Sequence, residues 1–163
     1  GLPHTDGTQV LMVSETGTGE AFAFSGEKLS PVLTVYRATD FHAATQRVQE
    51  IYAYQGAGHS VGIHAAPKRA DGLALKLGLA LPVARVIVNQ AHCIATGGSF
   101  DNGLPFSLSM GCGTWGGNNF SDNLTYKNFL NITRIARPIA NRSPDESELE
   151  STVFADYFAH INQ

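Results

Sequence analysis

The chain has 163 residues, enough for one domain with a buried core. Apolar residues make up 43% and charged residues 15%, which excludes intrinsic disorder and a coiled coil. Eleven Lys and Arg against fourteen Asp and Glu give a net charge of −3 without a basic run, so no nucleic-acid partner is expected. No apolar stretch reaches the roughly 20 residues of a membrane span, and the N-terminus has no signal-peptide pattern. We therefore expect a soluble, cytoplasmic protein with no membrane partner.

Strand-like and helix-like segments alternate in the first half of the chain. Four short apolar runs predict buried strands, at residues 9–13, 31–36, 59–64 and 84–89. Apolar residues at helical spacing after Asp40, a suitable N-cap, predict a helix that stops at Gly56. A second helix is predicted to begin at Pro67. This order is typical of an α/β fold with a largely parallel sheet and covering helices.

The second half is less regular. Seven of the seventeen glycines lie within residues 97–117, which predicts irregular backbone there. Alternating apolar and polar residues predict a strand at 131–137 that could pair with a second chain. A capping Ser143 followed by Pro144 predicts an amphipathic helix over 144–163. We accordingly divide the chain into a main portion, 1–143, and this C-terminal helix.

Residues 58–62 fit G-x-S-x-G, the pattern around a hydrolase nucleophile, with Ser60 at its centre. That motif needs a strand before the serine and a helix after it, whereas here the predicted order is reversed. The two glycines are then better explained by a tight corner between helix and strand. A serine hydrolase that uses Ser60, with His160 and an aspartate as partners, remains an alternative.

Residues 111–116 fit G-x-G-x-x-G, a pattern that can hold a pyrophosphate at a helix N-terminus. The residues that follow are poor helix formers, so a glycine loop around Trp115 is the favoured interpretation. Cys93 next to His92 could form an activated thiolate, but neighbours in a chain often point apart. His59 and His64 lie on opposite faces of a predicted strand, and no metal site is predicted.

Four segments together resemble a known family: GEKLSPVL at 26–33, GAGHS at 56–60, ARVIVN at 84–89 and MGCGTWGGN at 110–118. In order and spacing they are similar to the aldehyde dehydrogenase superfamily. More narrowly they resemble its CoA-acylating branch, which includes acetaldehyde, propionaldehyde and sulfoacetaldehyde dehydrogenases. The last segment is the most specific, because general aldehyde dehydrogenases have a shorter glycine loop there. The resemblance implies a C-terminal portion of the catalytic domain.

The resemblance also suggests site residues. Glu27 falls on the glutamate that accepts hydrogen bonds from the nicotinamide ribose, although its residue context alone favours a solvated side chain. Leu29 falls where many relatives have a phenylalanine against the nicotinamide, so it would form an apolar wall. His92, Phe100 and Trp115 fall on loops that line the aldehyde tunnel, with packing as the alternative for Phe100.

Family members carry a Rossmann domain and the catalytic cysteine upstream of the matched region, and neither Cys93 nor Cys112 matches that cysteine. The resemblance therefore implies no catalytic residue in this chain and no activity for the chain alone. The complete enzyme would oxidise a small aldehyde with NAD or NADP through a cysteine thioester, with CoA as co-substrate. The strand at 131–137 would serve in a homo-oligomer. A non-catalytic assembly module is a further alternative.

Overall fold

The computed structural model describes residues 4–138. Its main elements are β1 (Leu11–Ser14), β2 (Val32–Val35), α1 (Phe41–Tyr54), β3 (Val61–Ile63), α2 (Pro67–Ala80), β4 (Val86–Val88) and α3 (His92–Ala95). Two 3₁₀ turns follow, at Thr114–Gly116 and Tyr126–Phe129. The strands and helices predicted for the first half are confirmed, whereas the single turn of α3 has no counterpart in the prediction. No helix within 4–138 has the length and apolar character needed to cross a bilayer.

The strands form two parallel pairs. β1 pairs with β2, from Leu11 opposite Val32 onward, and β3 pairs with β4, from Val61 opposite Val86 onward. Parallel pairing is confirmed, and within the described residues it takes the form of two separate two-stranded pairs. Only β3, α2 and β4 form a β-α-β unit, in which the helix returns the chain to a neighbouring strand. β1 and β2 are instead joined by irregular backbone, so no crossover helix links them to a common sheet.

The helices begin and end at residues that favour those positions. The Asp40 side chain accepts a hydrogen bond from the backbone N–H of Ala43 (2.8 Å) and caps α1. α1 ends at Tyr54, shortly before Gly56, whose φ of 97° is readily adopted only by glycine. Pro67 opens α2, where its missing N–H costs no hydrogen bond.

The hydrophobic core lies between α1, α2 and the second strand pair. Its buried members come from β3, α2 and the segment before β4: Val61, Leu77, Leu81 and Val83. Partly buried side chains of α1 pack against them, namely Phe41, Val48 and Tyr52. This packing fixes the end of α1 next to the start of β3, which sets the position of the turn between them.

By its contacts the chain divides into two compact units, residues 1–129 and 130–163. Of the second unit the structure describes 130–138, and these residues form no strand. The strand predicted at 131–137 therefore has no partner strand within the described residues, and its pairing with a second chain stays a prediction. A strand is defined by backbone hydrogen bonds to a neighbour, and alternating side chains do not supply one. The predicted helix 144–163 and the proposed boundary at 143 lie outside the described residues.

Candidate functional site

Three segments that carry predicted site residues converge on one turn of the backbone. This turn, residues 55–60, joins α1 to β3 and is called the 55–60 turn below. Gln55 contacts the loop of Glu27, and Ser60 contacts the start of α3. Gly58 contacts the glycine-rich loop of Trp115. The paired glycines predict a corner at this place. Its role in bringing the three loops together depends on tertiary contacts that the pattern does not contain.

Glu27 lies on an exposed loop whose backbone is held from both sides. Its N–H donates to Gln55 Oε1 (2.9 Å). The Lys28 ammonium folds back and donates to the carbonyls of Phe24 and Gly26, both at 2.6 Å. Within the described residues the Glu27 carboxylate takes part in no hydrogen bond or ion pair. The loop therefore presents a free carboxylate acceptor on a fixed backbone, with Leu29, 96% exposed, two residues further on.

The glycine-rich loop touches the 55–60 turn backbone to backbone. Gly58 has φ 103°, and a Cβ added to it would lie 2.7 Å from the backbone nitrogen of Gly116. Any larger residue at Gly58 would force the loop away. Cys112 is partly buried and fills space beside both glycines. Trp115, next to Gly116, is held at this position with 54% of its surface exposed.

His92, Ser60 and His59 form a continuous chain of hydrogen bonds. Ser60 Oγ lies 2.7 Å from His92 Nε2 and 2.6 Å from His59 Nδ1. The hydroxyl of Tyr52 donates to the Ser60 carbonyl (2.6 Å) and fixes the backbone at this point. Burial lowers the pKa of the His92 imidazole below its ordinary value, and the neighbouring charge of His59 lowers it further. His92 is thus held mainly neutral at physiological pH.

Asn89 turns the chain after β4 so that His92 lies over β3. It has φ 53°, the left-handed region that asparagine tolerates better than most residues. Its side-chain amide accepts from Ala65 N–H (2.9 Å) and donates to Ala65 O (3.0 Å). A Cβ on Gly62 of β3 would lie 2.6 Å from His92 Nδ1, so the glycine leaves room for the imidazole ring.

A buried clamp of Arg85 and Asn123 ties the glycine-rich half to β4. Arg85, 5% exposed, donates from Nε to Asn123 Oδ1 (2.8 Å) and from Nη1 to Gly111 O (2.9 Å). Asn123, 1% exposed, donates to the carbonyls of Thr96 (2.9 Å) and Pro105 (2.8 Å). Burial lowers the pKa of Arg85, although a guanidinium keeps its charge at neutral pH. An arginine opening the apolar strand ARVIVN is the one sequence signal for this clamp.

Phe100 is not brought to the 55–60 turn. It is 98% exposed, and its recorded aromatic contact is with Phe106, edge to face with ring centroids 5.0 Å apart. The structure therefore unites the loops of Glu27, His92 and Trp115 and leaves Phe100 apart from them.

The remaining motifs have the local contexts expected from the sequence. Ser60 follows a helix and precedes a strand, the reverse of a nucleophile elbow. Residues 111–116 lead into a three-residue 3₁₀ turn and offer no helix N-terminus for a phosphate. In the described part of the chain, no group of three or more His, Cys, Asp or Glu could hold a metal ion.

Known proteins with similar sequences are acylating aldehyde dehydrogenases. A sulfoacetaldehyde dehydrogenase (acylating) from Cupriavidus necator is 66% identical over 154 residues, which are 94% of this chain and 30% of that protein. A succinate-semialdehyde dehydrogenase (acetylating) from Clostridium kluyveri is 38% identical over 135 residues, 83% of this chain and 29% of its own length. No family model matches the chain.

The fold gives the same relationship. A crystal structure of an acetylating aldehyde dehydrogenase from Geobacillus thermoglucosidasius superposes with a TM-score of 0.75 at 30% identity, covering 88% of this chain and 31% of that one. The chain therefore belongs to the aldehyde dehydrogenase superfamily. The relatives named above are acylating members of that superfamily, and the chain spans about 30% of their length.

Proposed function

We propose that this chain is part of a cytoplasmic, NAD(P)-dependent, CoA-acylating aldehyde dehydrogenase. The reaction converts an aldehyde to an acyl-CoA through a thioester on a cysteine that lies outside this chain. The convergence of the Glu27, His92 and Trp115 loops on the 55–60 turn is the observation that supports this function most strongly. The 66% identity to a sulfoacetaldehyde dehydrogenase makes sulfoacetaldehyde the candidate substrate.

Glu27 is suited to hold the nicotinamide ribose. Its carboxylate has two oxygens for two vicinal hydroxyls, and it is free of other partners within residues 4–138. A nicotinamide nucleotide held there would supply the hydride acceptor for the reaction. The protein must then align the ribose, and Gln55 contributes by fixing the Glu27 backbone. Leu29 would give the nicotinamide an apolar neighbour.

His92 and Trp115 would line the entry path of the aldehyde. Both lie beside the 55–60 turn, His92 through Ser60 and Trp115 through its neighbour Gly116. Trp115 offers a large, partly exposed apolar surface, and His92 a polar edge. Phe100 would join them as a tunnel residue only after its loop packs against the rest of the enzyme.

The test is an exchange enzyme: the Cupriavidus necator relative with its matching segment replaced by this chain. It should form NADH continuously from sulfoacetaldehyde only when CoA is present, because CoA must release the cysteine from the thioester before the next turnover. Glu27→Gln should slow the pre-steady-state hydride step, because the ribose loses a charge-assisted hydrogen bond. Glu20→Gln, a change at another exposed glutamate, is the matched control. A folded exchange enzyme that oxidises no aldehyde would contradict the proposal.

A serine hydrolase is the second candidate, favoured by the 2.7 Å hydrogen bond between Ser60 and His92. His160, the predicted histidine partner of Ser60, lies outside the described residues. Labelling the chain with a fluorophosphonate tests whether Ser60 is a reactive nucleophile. Labelling of Ser60 that disappears in His92→Asn would support a serine hydrolase. An unlabelled Ser60 would exclude it.

Homo-oligomer formation through residues 131–137 stays a proposal. Ile132 and Ile135 are largely exposed in this segment, as a surface that awaits a partner would be. Light scattering of the exchange enzyme, before and after Ile135→Asp, would measure its contribution to assembly.

A further inference from the structure

The peptide group between Gly26 and Glu27 is held at both of its ends. Its carbonyl oxygen, Gly26 O, accepts a hydrogen bond from Lys28 Nζ (2.6 Å). Its N–H, which belongs to Glu27, donates to Gln55 Oε1 (2.9 Å). The carbonyl and the N–H of a trans peptide point in opposite directions, so bonds at both ends restrain rotation of the peptide plane. Lys28 and Gln55 together thus fix the backbone from which the Glu27 side chain projects.

Lys28 also closes a ring that contains the backbone of Glu27. Its side chain reaches back to the carbonyl of Gly26, so both backbone dihedrals of Glu27 lie inside the ring. The same ammonium donates a second hydrogen bond to Phe24 O (2.6 Å). Phe24 O also accepts a hydrogen bond from the Thr34 hydroxyl of β2. The ring is therefore anchored to a strand and does not depend on the exposed loop alone.

The arrangement keeps the Glu27 carboxylate available. A Cβ on Gly26 would lie 2.8 Å from Gln55 Oε1, so the glycine leaves room for the amide that holds the Glu27 N–H. The Lys28 ammonium bonds to two carbonyls, although a carboxylate lies on the neighbouring residue. Within residues 4–138, neither Lys28 nor Glu27 takes part in an ion pair. Ordering a lysine side chain costs rotamer entropy, and here that cost fixes a backbone while the carboxylate stays free.

We propose that Lys28 is a positioning residue for the nicotinamide nucleotide and that it acts, together with Gln55, through Glu27. The inference rests on the proposed function, in which Glu27 holds the nicotinamide ribose. Lys28 itself contacts neither the ribose nor the aldehyde in this role. A carboxylate on a mobile backbone would hold the ribose less accurately, and small misplacements of reacting groups slow a reaction strongly. Loss of Lys28 should therefore slow the hydride step more than it weakens the binding of CoA or aldehyde.

The first test is a double-mutant cycle in the exchange enzyme, read from the rate constant of the pre-steady-state hydride step. Lys28→Met keeps an apolar stem of similar length and removes the N–H donors. It should slow the hydride step by about tenfold and leave the KM for CoA and for the aldehyde within about twofold. In a Glu27→Ala background the same change should have at most about a twofold effect, because the carboxylate that Lys28 positions is then absent.

The second test needs no nucleotide and no turnover. Hydrogen exchange of the segment 24–30, measured by mass spectrometry in the nucleotide-free exchange enzyme, reports how firmly the loop is held. Lys28→Met should speed exchange in this segment by about threefold or more. Gln55→Leu, which removes the bond at the other end of the same peptide group, should repeat both results. Lys76→Met, at an exposed lysine of α2, is the matched control and should change neither readout.

Three results would overturn the inference. The first is an unchanged hydride step in a folded Lys28→Met or Gln55→Leu enzyme, even where hydrogen exchange is faster. The second is equal slowing by Lys28→Met with and without the Glu27 carboxylate, which would indicate a general structural role. The third is a rise in the KM for NAD that persists in the Glu27→Ala background, which would assign the ammonium to a phosphate of the nucleotide. Failure of the proposed function is distinct, because then the unsubstituted exchange enzyme oxidises no aldehyde.

Discussion

Removal of the Asn123 side chain should be among the most damaging single changes in the glycine-rich half. Asn123→Ala deletes one hydrogen bond to the buried guanidinium of Arg85 and two to the carbonyls of Thr96 and Pro105. Alanine cannot replace any of them, and the Asn123 side chain that makes them is 1% exposed. The change therefore leaves a donor and two acceptors unpaired.

The magnitude follows from the kinds of bonds that are lost. A hydrogen bond to a charged group contributes about 1.5–3 kcal/mol, and each neutral bond about 1 kcal/mol. Asn123→Ala should accordingly lower the free energy of unfolding by about 3–5 kcal/mol. Because Arg85 also holds Gly111 O, the loss should loosen the loop that carries Trp115.

Urea denaturation of the full chain measures the effect, with limited proteolysis to locate the loosened segment. Asn118→Ala is the matched control, since Asn118 accepts one exposed hydrogen bond from Cys112 N–H (2.8 Å) and should cost at most about 1 kcal/mol. If Asn123→Ala destabilises the chain no more than Asn118→Ala does, the clamp does not hold the loop.

Two further predictions concern His92 and Trp115. Because the folded-state pKa of His92 is lowered, its contribution to stability is present above the ordinary histidine value of about 6.5 and is lost as pH falls through the folded-state pKa. Urea midpoints should therefore drop on acidification, less steeply in His92→Asn than in the His64→Asn control, and equal slopes would contradict this. Trp115→Ala in the exchange enzyme should change the ratio of kcat/KM for short and bulky aldehydes with little effect on the KM for NAD. Equal losses for both aldehydes would instead indicate a packing role.

The regular elements were predictable because their signals are local. The cap at Asp40, the opening at Pro67 and the apolar runs all act within a few residues, and α1, α2 and the four strands follow them. The division into two strand pairs was not predictable in this way, because strand pairing depends on which segments the core brings together. The strand expected at 131–137 depends in the same way on a partner, which the described residues do not supply.

The site was predictable only in part. Glu27, His92 and Trp115 could be singled out by resemblance, but their meeting at the 55–60 turn depends on contacts across long stretches of chain. Ser60 illustrates the limit, since the histidine considered as its partner was His160, whereas the structure places His92 next to it. The left-handed backbone at Asn89 and the space above Gly62 allow His92 to reach Ser60. Neither feature can be predicted from a local motif.

The proposed function makes this chain a working part of a CoA-acylating aldehyde dehydrogenase. The most direct measurement is the amount of acyl-CoA, by mass spectrometry, that the exchange enzyme forms from sulfoacetaldehyde for each NADH. We expect one acyl-CoA per NADH, and we expect no acyl-CoA when CoA is omitted. NADH formed with free acid as the product, or no product from a folded exchange enzyme, would contradict it.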